Sequence, residues 1–233
     1  MNIDPRGPGG PEQEPEPAPD ADYEPGPEEF GEVPERPRGP LSRFPSLVHA
    51  IPAILLFTLF YAATVVYTGS PQGDYLWISG DSIYKDHEYW RLFTALCAHA
   101  DLSHLVANAL IFLVFGWMLK AYFGLALFPA ASLGIGLITN AVTVAVYEPA
   151  TRLVGASGMA YGMVALWLVF YIHNDTYYSM PTRIFRAVGF ALVMMFPTTF
   201  EPHVSYLSHG VGFCAGLVVG LALVRFIPVR DPS

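Results

Sequence analysis

Five polar side chains sit in stretches of this sequence that are otherwise apolar, and their types can do acyl-transfer chemistry. Ser157 lies in the tetrapeptide Gly155-Ala156-Ser157-Gly158, with Tyr161 four residues further on. His209 opens a long apolar run carrying Gly212, Gly216 and Gly220. His104 and Asn108 share another run, preceded by His99. Residues four apart on a helix lie on one face, so His104 and Asn108 point the same way. An imidazole beside a hydroxyl can take its proton and later return it to a leaving amine. A serine at a helix N-terminus also meets free backbone N–H groups and the positive end of the helix dipole, both suited to a developing oxyanion. No carboxylate lies deep in an apolar run; Asp101, Glu148, Asp175 and Glu201 fall at loop ends. The economical reading is a Ser–His dyad, with further donors from His104 and Asn108.

The elements that must position these groups are membrane helices. The chain is 53% hydrophobic and 14% charged, against roughly 25% charged residues in soluble domains. A bilayer core needs about 20 mostly apolar residues per helix. Six stretches qualify: about Pro45–Thr68, Leu102–Leu119, Gly124–Tyr147, Ser157–His173, Ile184–Thr199 and Tyr206–Ile227. The fourth and fifth are short for full spans. The expected fold is all-α, a polytopic six-helix membrane bundle covering residues 43–230. Residues 1–42 are of another kind. The first 40 hold eleven acids, three arginines and eleven prolines, which accounts for the whole formal net charge of −8. Such a segment cannot bury enough apolar surface to offset its ordering entropy and is expected to be a disordered tail. It also lacks the basic start and apolar stretch of a cleavable signal peptide.

Lysine and arginine near helix ends set orientation. Arg36, Arg38, Arg43, Lys120, Arg183, Arg186, Arg225 and Arg230 fall on one side, and Lys85, Arg91 and Arg152 on the other. Both termini are therefore expected in the cytoplasm, with the protein in the plasma membrane. The second, fourth and sixth runs then all begin at the outer face, so Ser157, His209, His104 and Asn108 share one depth. Intramembrane polar groups are expensive and mark function by default, and the shared depth is the strongest signal in the chain. The external loop of residues 69–91 carries Tyr75, Trp77, Tyr84, Tyr89 and Trp90 and is expected to lie partly among the headgroups. Two lysines against ten arginines suit a GC-rich, salt-adapted prokaryote such as a halophilic archaeon.

Each feature also has a plainer explanation. G-x-S-G recurs as packing in membrane helices, a lone histidine can bond a backbone carbonyl, and spaced glycines serve close helix contact. Cys97 and Cys214 read as two buried small hydrophobes. Three function classes remain: a cofactor-independent protease, a non-catalytic binder or escort of transmembrane helices, and a metal or transport protein using His99, His104 and His209. The last is the weakest, because no Cys, Asp or Glu joins these histidines and a zinc site wants three or four ligands with outer-shell support. A soluble enzyme, a nucleic-acid binder and a disulfide scaffold are excluded.

Taken together, Trp90-Arg91, the segment from His99 through His104 to Asn108, the segment from Gly155 through Ser157 to Tyr161, and His209-Gly-Val-Gly212 with Gly216 beyond resemble the rhomboid family of intramembrane serine proteases in its basic six-helix form. The resemblance covers about residues 45–228. It implies that Ser157 is the nucleophile and His209 its base, and that His104, Asn108 and the Ser157 backbone bind the oxyanion. It further implies that Tyr161 packs on the His209 ring, and that His99 supports the site through the first loop or bound water. Residues from about Met194 to Ser205 would form a lateral gate. Expected partners are transmembrane protein substrates and the lipid bilayer, with no cofactor, metal or nucleic acid; the oligomeric state is left open. Lys120 departs from the family, whose members can carry an acidic residue there, and the acidic tail has no counterpart in its core.

Overall fold

The computed structural model describes residue 39, residues 41–199 and residues 205–233. The tail expected over residues 1–42 lies outside them, apart from Gly39, Leu41 and Ser42. The described residues form eight α-helices: α1 (Ile51–Gly69), α2 (Gly80–Tyr84), α3 (Arg91–Cys97), α4 (Leu102–Phe123), α5 (Ser132–Val146), α6 (Ser157–Asn174), α7 (Met180–Thr199) and α8 (Tyr206–Leu223). Six of them have fifteen residues or more. By length and composition, Leu47–Gly69, Leu102–Phe123, Ala126–Val146 and Tyr206–Leu223 can each cross a membrane. The chain is an all-helical, multi-pass membrane protein.

α6 has a different role from those four. It packs against α4, α5, α7 and α8 and is buried without a break from Ser157 to Leu168. A helix enclosed by other helices needs no uniformly apolar, lipid-facing surface, which is why it tolerates Ser157, Gly158, Tyr161 and Gly162 in its first turns. Its contact with α8 is backbone against backbone. A Cβ added to Gly212 would lie 2.0 Å from the Gly158 carbonyl oxygen, and one added to Gly216 would lie 2.3 Å from that of Gly162. Only hydrogen fits there, so the glycine stripe of α8 faces the central helix, not lipid.

Helix ends are fixed by identifiable groups. Asp101 caps α4, its carboxylate accepting from the His104 N–H at 2.8 Å. Ser205 caps α8, accepting from the Ser208 N–H at 3.0 Å. Gly124, at φ 77°, ends α4, a backbone conformation that favours glycine. At the end of α4 remote from His104, residues near both ends of the described chain are tied together. The Tyr122 hydroxyl donates to the Arg43 carbonyl at 2.7 Å, Arg230 N–H donates to the Tyr122 carbonyl at 2.7 Å, and Arg43 pairs with Asp231.

The aromatic loop is more ordered than a headgroup-layer linker needs to be. A reciprocal Ser79–Ser82 capping box starts α2. Arg91 is buried, donates to the carbonyls of Asp74 and Trp77, pairs with Glu88, and lies 4.7 Å from the rings of both Trp77 and Trp90. Tyr75, Tyr84, Tyr89 and Trp90 remain exposed. One sequence expectation needs correction. Cys97 is buried, its thiol pushed up to about 11 by burial, but Cys214 is exposed. It lies two residues from Gly216, on the side of α8 turned away from α6.

Candidate active site

The residues with chemistry collect where the N-terminal ends of α4, α6 and α8 meet. A cavity of about 230 Å³ is lined by His104, Asn140, Arg152, Gly155, Ser157 and Ser208, among others. Ser157 is the first residue of α6 and is buried. The N-terminus of α6 differs from its neighbours: α4 and α8 carry a side-chain cap, and α6, preceded by Ala156, has no side-chain cap hydrogen bond. The first N–H groups of a helix have no intrahelical partner. Those following Ala156 are therefore left for whatever enters the cavity. A caps-everywhere sequence would have hidden them.

The chain leading into Ser157 is held from two sides. Gly155 N–H donates to the Ala95 carbonyl at 2.8 Å, and Ile78 and Leu153 exchange backbone hydrogen bonds at 2.9 and 2.8 Å. Gly155 has φ 120°, and a Cβ there would lie 3.4 Å from His104 Cε1. Glycine thus serves the left-handed backbone, while a methyl group there would meet the imidazole at ordinary contact distance.

His99 is fully buried, and its Nε2 accepts from the Ala156 N–H at 3.4 Å. That leaves the proton of the neutral ring on Nδ1, which has no hydrogen-bond partner among the described residues. Burial first, and the nearby His104 second, push its pKa down to about 3. Its backbone N–H donates to Thr64 Oγ1 at 3.1 Å, and its ring packs near Phe60 at 6.0 Å between centroids. His99 therefore rests on α1 through Thr64 and Phe60. The His104 ring meets it edge-on at 5.3 Å. One turn below, Asn108 is buried, and its Nδ2 donates to the His104 carbonyl at 2.8 Å. One amide N–H remains uncommitted by that bond.

His209 is buried on the α6-facing side of α8. Its ring stacks on Tyr161 at 4.0 Å between centroids and 16° between planes, and Tyr206 meets it edge-on at 6.4 Å. Its Nε2 has no hydrogen-bond partner among the described residues. The Gly212–Gly158 contact brings the turn carrying His209 against the turn carrying Ser157. In this arrangement an imidazole held by an aromatic ring lies across a backbone contact from a hydroxyl with helix N–H groups behind it. That is a constellation for acyl transfer.

Asn140, Ser208 and Arg152 were not singled out from the sequence as lining this cavity. Asn140 lies inside the third apolar run, and the rule that intramembrane amides mark function should have flagged it. Its Nδ2 donates to the Leu92 carbonyl at 2.9 Å, joining α5 to α3. Ser208 carries no such signal. The part of the expected gate from 200 to 204 lies outside the described residues. Among the described residues, no three or more His, Cys, Asp or Glu side chains gather as a metal site.

A family model described as Rhomboid domain matches residues 86–226, which include His99, His104, Asn108, Ser157, Tyr161 and His209. The chain belongs to the rhomboid family. Among its relatives, Arabidopsis thaliana "RHOMBOID-like protein 1" is 28% identical over 142 residues, covering 59% of this chain and 35% of the relative. Bacillus subtilis (strain 168) "Putative rhomboid protease YdcA" is 28% identical over 141 residues, covering 59% of this chain and 69% of the relative. Human "Rhomboid-related protein 3" is 22% identical over 200 residues, covering 74% of this chain and 48% of the relative. The chain thus spans about a third of the plant relative's own length and about half of the human one's.

Proposed function

We propose that this rhomboid is an intramembrane serine endopeptidase that cleaves transmembrane proteins near the outer face of the membrane. His209 Nε2 takes the proton of Ser157 Oγ as the oxygen attacks the scissile carbonyl. The first N–H groups of α6, with His104 and the free amide N–H of Asn108, stabilise the oxyanion. His209 returns the proton to the leaving amine, and a water then hydrolyses the acyl-enzyme by the same steps. Tyr161 fixes the imidazole plane in the place that a carboxylate holds in a triad. α6 and α7 complete a six-span bundle, both termini lie on the cytoplasmic side of the plasma membrane, and α7 with the segment after it acts as the lateral gate. The arginine-rich composition suits a salt-adapted prokaryote.

One observation carries this reading: Ser157 opens the single uncapped helix among the three whose N-termini meet at the cavity. A Ser, Thr, Asp or Asn at the N-cap position would satisfy those N–H groups, and Ala156 does not. The test is labelling of the purified protein by a fluorophosphonate probe. Wild type should label and Ser157→Ala should not. An unlabelled wild type, or a label retained by Ser157→Ala, would remove the catalytic reading and leave a helix-binding relative.

A further inference from the structure

We propose that Arg152 is a specificity-determining residue, which selects substrates carrying a carboxylate in the outer juxtamembrane residues beside the scissile bond. The proposal rests on the protease reading for the scissile bond, though not for recognition.

Arg152 lies five residues before Ser157 and lines the same cavity. Among the residues described there, it is the one with a permanent charge. Its guanidinium lies 4.0 Å from the Trp77 ring centroid, and such stacking holds the plane while leaving the N–H edge available. Among the described residues its ion-pair partner is Asp74, at 3.8 Å, with the two side chains 60% and 75% exposed. That pair is long and solvated, so an incoming carboxylate can displace it. The cavity therefore presents an oriented cation at its mouth and a nucleophile on its wall. A planar, forked donor of this kind suits a carboxylate. Trp77 and Asp74 belong to the segment before α2, and Arg152 to the α5–α6 connection; the Ile78–Leu153 bridge locks the two together.

The test uses two single-span model substrates that differ only in Glu or Gln at one outer juxtamembrane residue, reconstituted with the full-length enzyme in neutral-lipid vesicles. The readout is the ratio of kcat/KM for the Glu substrate to that for the Gln substrate. Wild type should favour Glu by about fivefold, the scale of one exposed ion pair, and the ratio should shrink at high salt. Arg152→Gln should bring the ratio to one, Arg152→Lys should partly restore it, and Arg152→Glu should invert it. Asp74→Asn should raise it by removing the internal competitor. A merely structural Arg152 would lower both rates together and leave the ratio alone. Photocrosslinking of the same substrates to Ser157→Ala reads recognition without catalysis. Arg152-dependent preference in crosslinking, without cleavage by wild type, would sink the protease reading and keep this one. A wild-type ratio of one in both assays, or a preference that survives Arg152→Gln, would overturn it. So would an Arg152 effect that follows anionic-lipid content instead of the substrate carboxylate.

Discussion

Replacing single glycines of α8 by alanine should give a graded loss that follows the room available for one methyl group. Ordinary contact for a Cβ begins near 3.4 Å. At Gly212 the new Cβ would lie 2.0 Å from the Gly158 carbonyl oxygen, so the backbones must separate by about 1.4 Å. At Gly216 the nearest atom is the Gly162 carbonyl oxygen at 2.3 Å, a deficit of about 1.1 Å. At Gly220 it is Val169 Cβ at 3.1 Å, a deficit of about 0.3 Å that a slight shift of the two helices can absorb. Gly210 has nothing within 4 Å and serves as control. Alanine gains up to about 1 kcal/mol over glycine in helix propensity, whereas overpacking costs typically about 1–3 kcal/mol. The sign should therefore change along one helix: neutral or stabilising at Gly210, near neutral at Gly220, destabilising at Gly216 and Gly212. Catalysis should separate the last two. Gly212 lies on the same face as His209, three residues away, and touches the residue after Ser157. A shift of about 1 Å between reacting groups can cost roughly 10²-fold in rate, so Gly212→Ala should lose about that much, and Gly216→Ala, a turn deeper, less. Thermal unfolding in detergent and cleavage of one model substrate in proteoliposomes would supply the two scales. Equal behaviour of Gly210→Ala and Gly212→Ala would refute the claim that the α6–α8 contact sets the site's geometry.

Other expectations follow from the same geometry. Ser157→Ala and His209→Ala should each abolish proteolysis with folding intact, and the double variant should be no worse than either single, because the two act as a unit; robust cleavage by Ser157→Ala would end the mechanism. Asn108→Ala should lower kcat by about 10²–10³-fold, the scale of one oxyanion donor, and undiminished turnover would remove it from that role. His99, held near a pKa of about 3 against an ordinary 6.5, binds its proton more readily in the unfolded chain. Its contribution to stability should be level above about pH 6.5 and be lost as pH falls from there toward 3, by up to about 1.4 kcal/mol per pH unit. Thermal unfolding across that window should show a shallower decline in His99→Gln than in wild type, and parallel declines would contradict the assignment.

Much of this was legible because intramembrane helices obey few rules. The apolar runs beginning at Leu102, Ser157 and Tyr206 start where α4, α6 and α8 start, since Asp101 and Ser205 are capping residues and Gly155, two residues before Ser157, turns the chain at a positive φ. Hydropathy starts the fifth run near Ile184, four residues after α7 begins at Met180. Its first turn is polar, and Arg183 donates to the Ile172 carbonyl at 2.7 Å, a satisfaction that hydropathy cannot register. α4 likewise runs on to Phe123, through Lys120 and up to Gly124. The four-residue spacing of His104 and Asn108 was readable as one helix turn of α4; the partner of each side chain was not, as His99 on α1 illustrates.

The parts hidden from the sequence are those whose meaning comes from long-range contact. Arg152 reads as one more basic residue in an orientation count, and Trp77 and Asp74 as members of an aromatic loop. They come together only after Ile78 pairs with Leu153, 75 positions further along the chain. The same holds within α8, where Cys214 and Gly216 are two residues apart, yet one faces outward and the other admits no methyl group. What separates them is the position of α6, which neither residue encodes locally. The proposed catalytic constellation is thus written twice. It appears in the sequence as polar residues at matched depth, and in the fold as a backbone contact close enough to make that depth useful. The first form can survive a mutation that destroys the second, and the Gly212 substitution exploits that difference: it leaves every candidate catalytic side chain in place and changes only the distance between them.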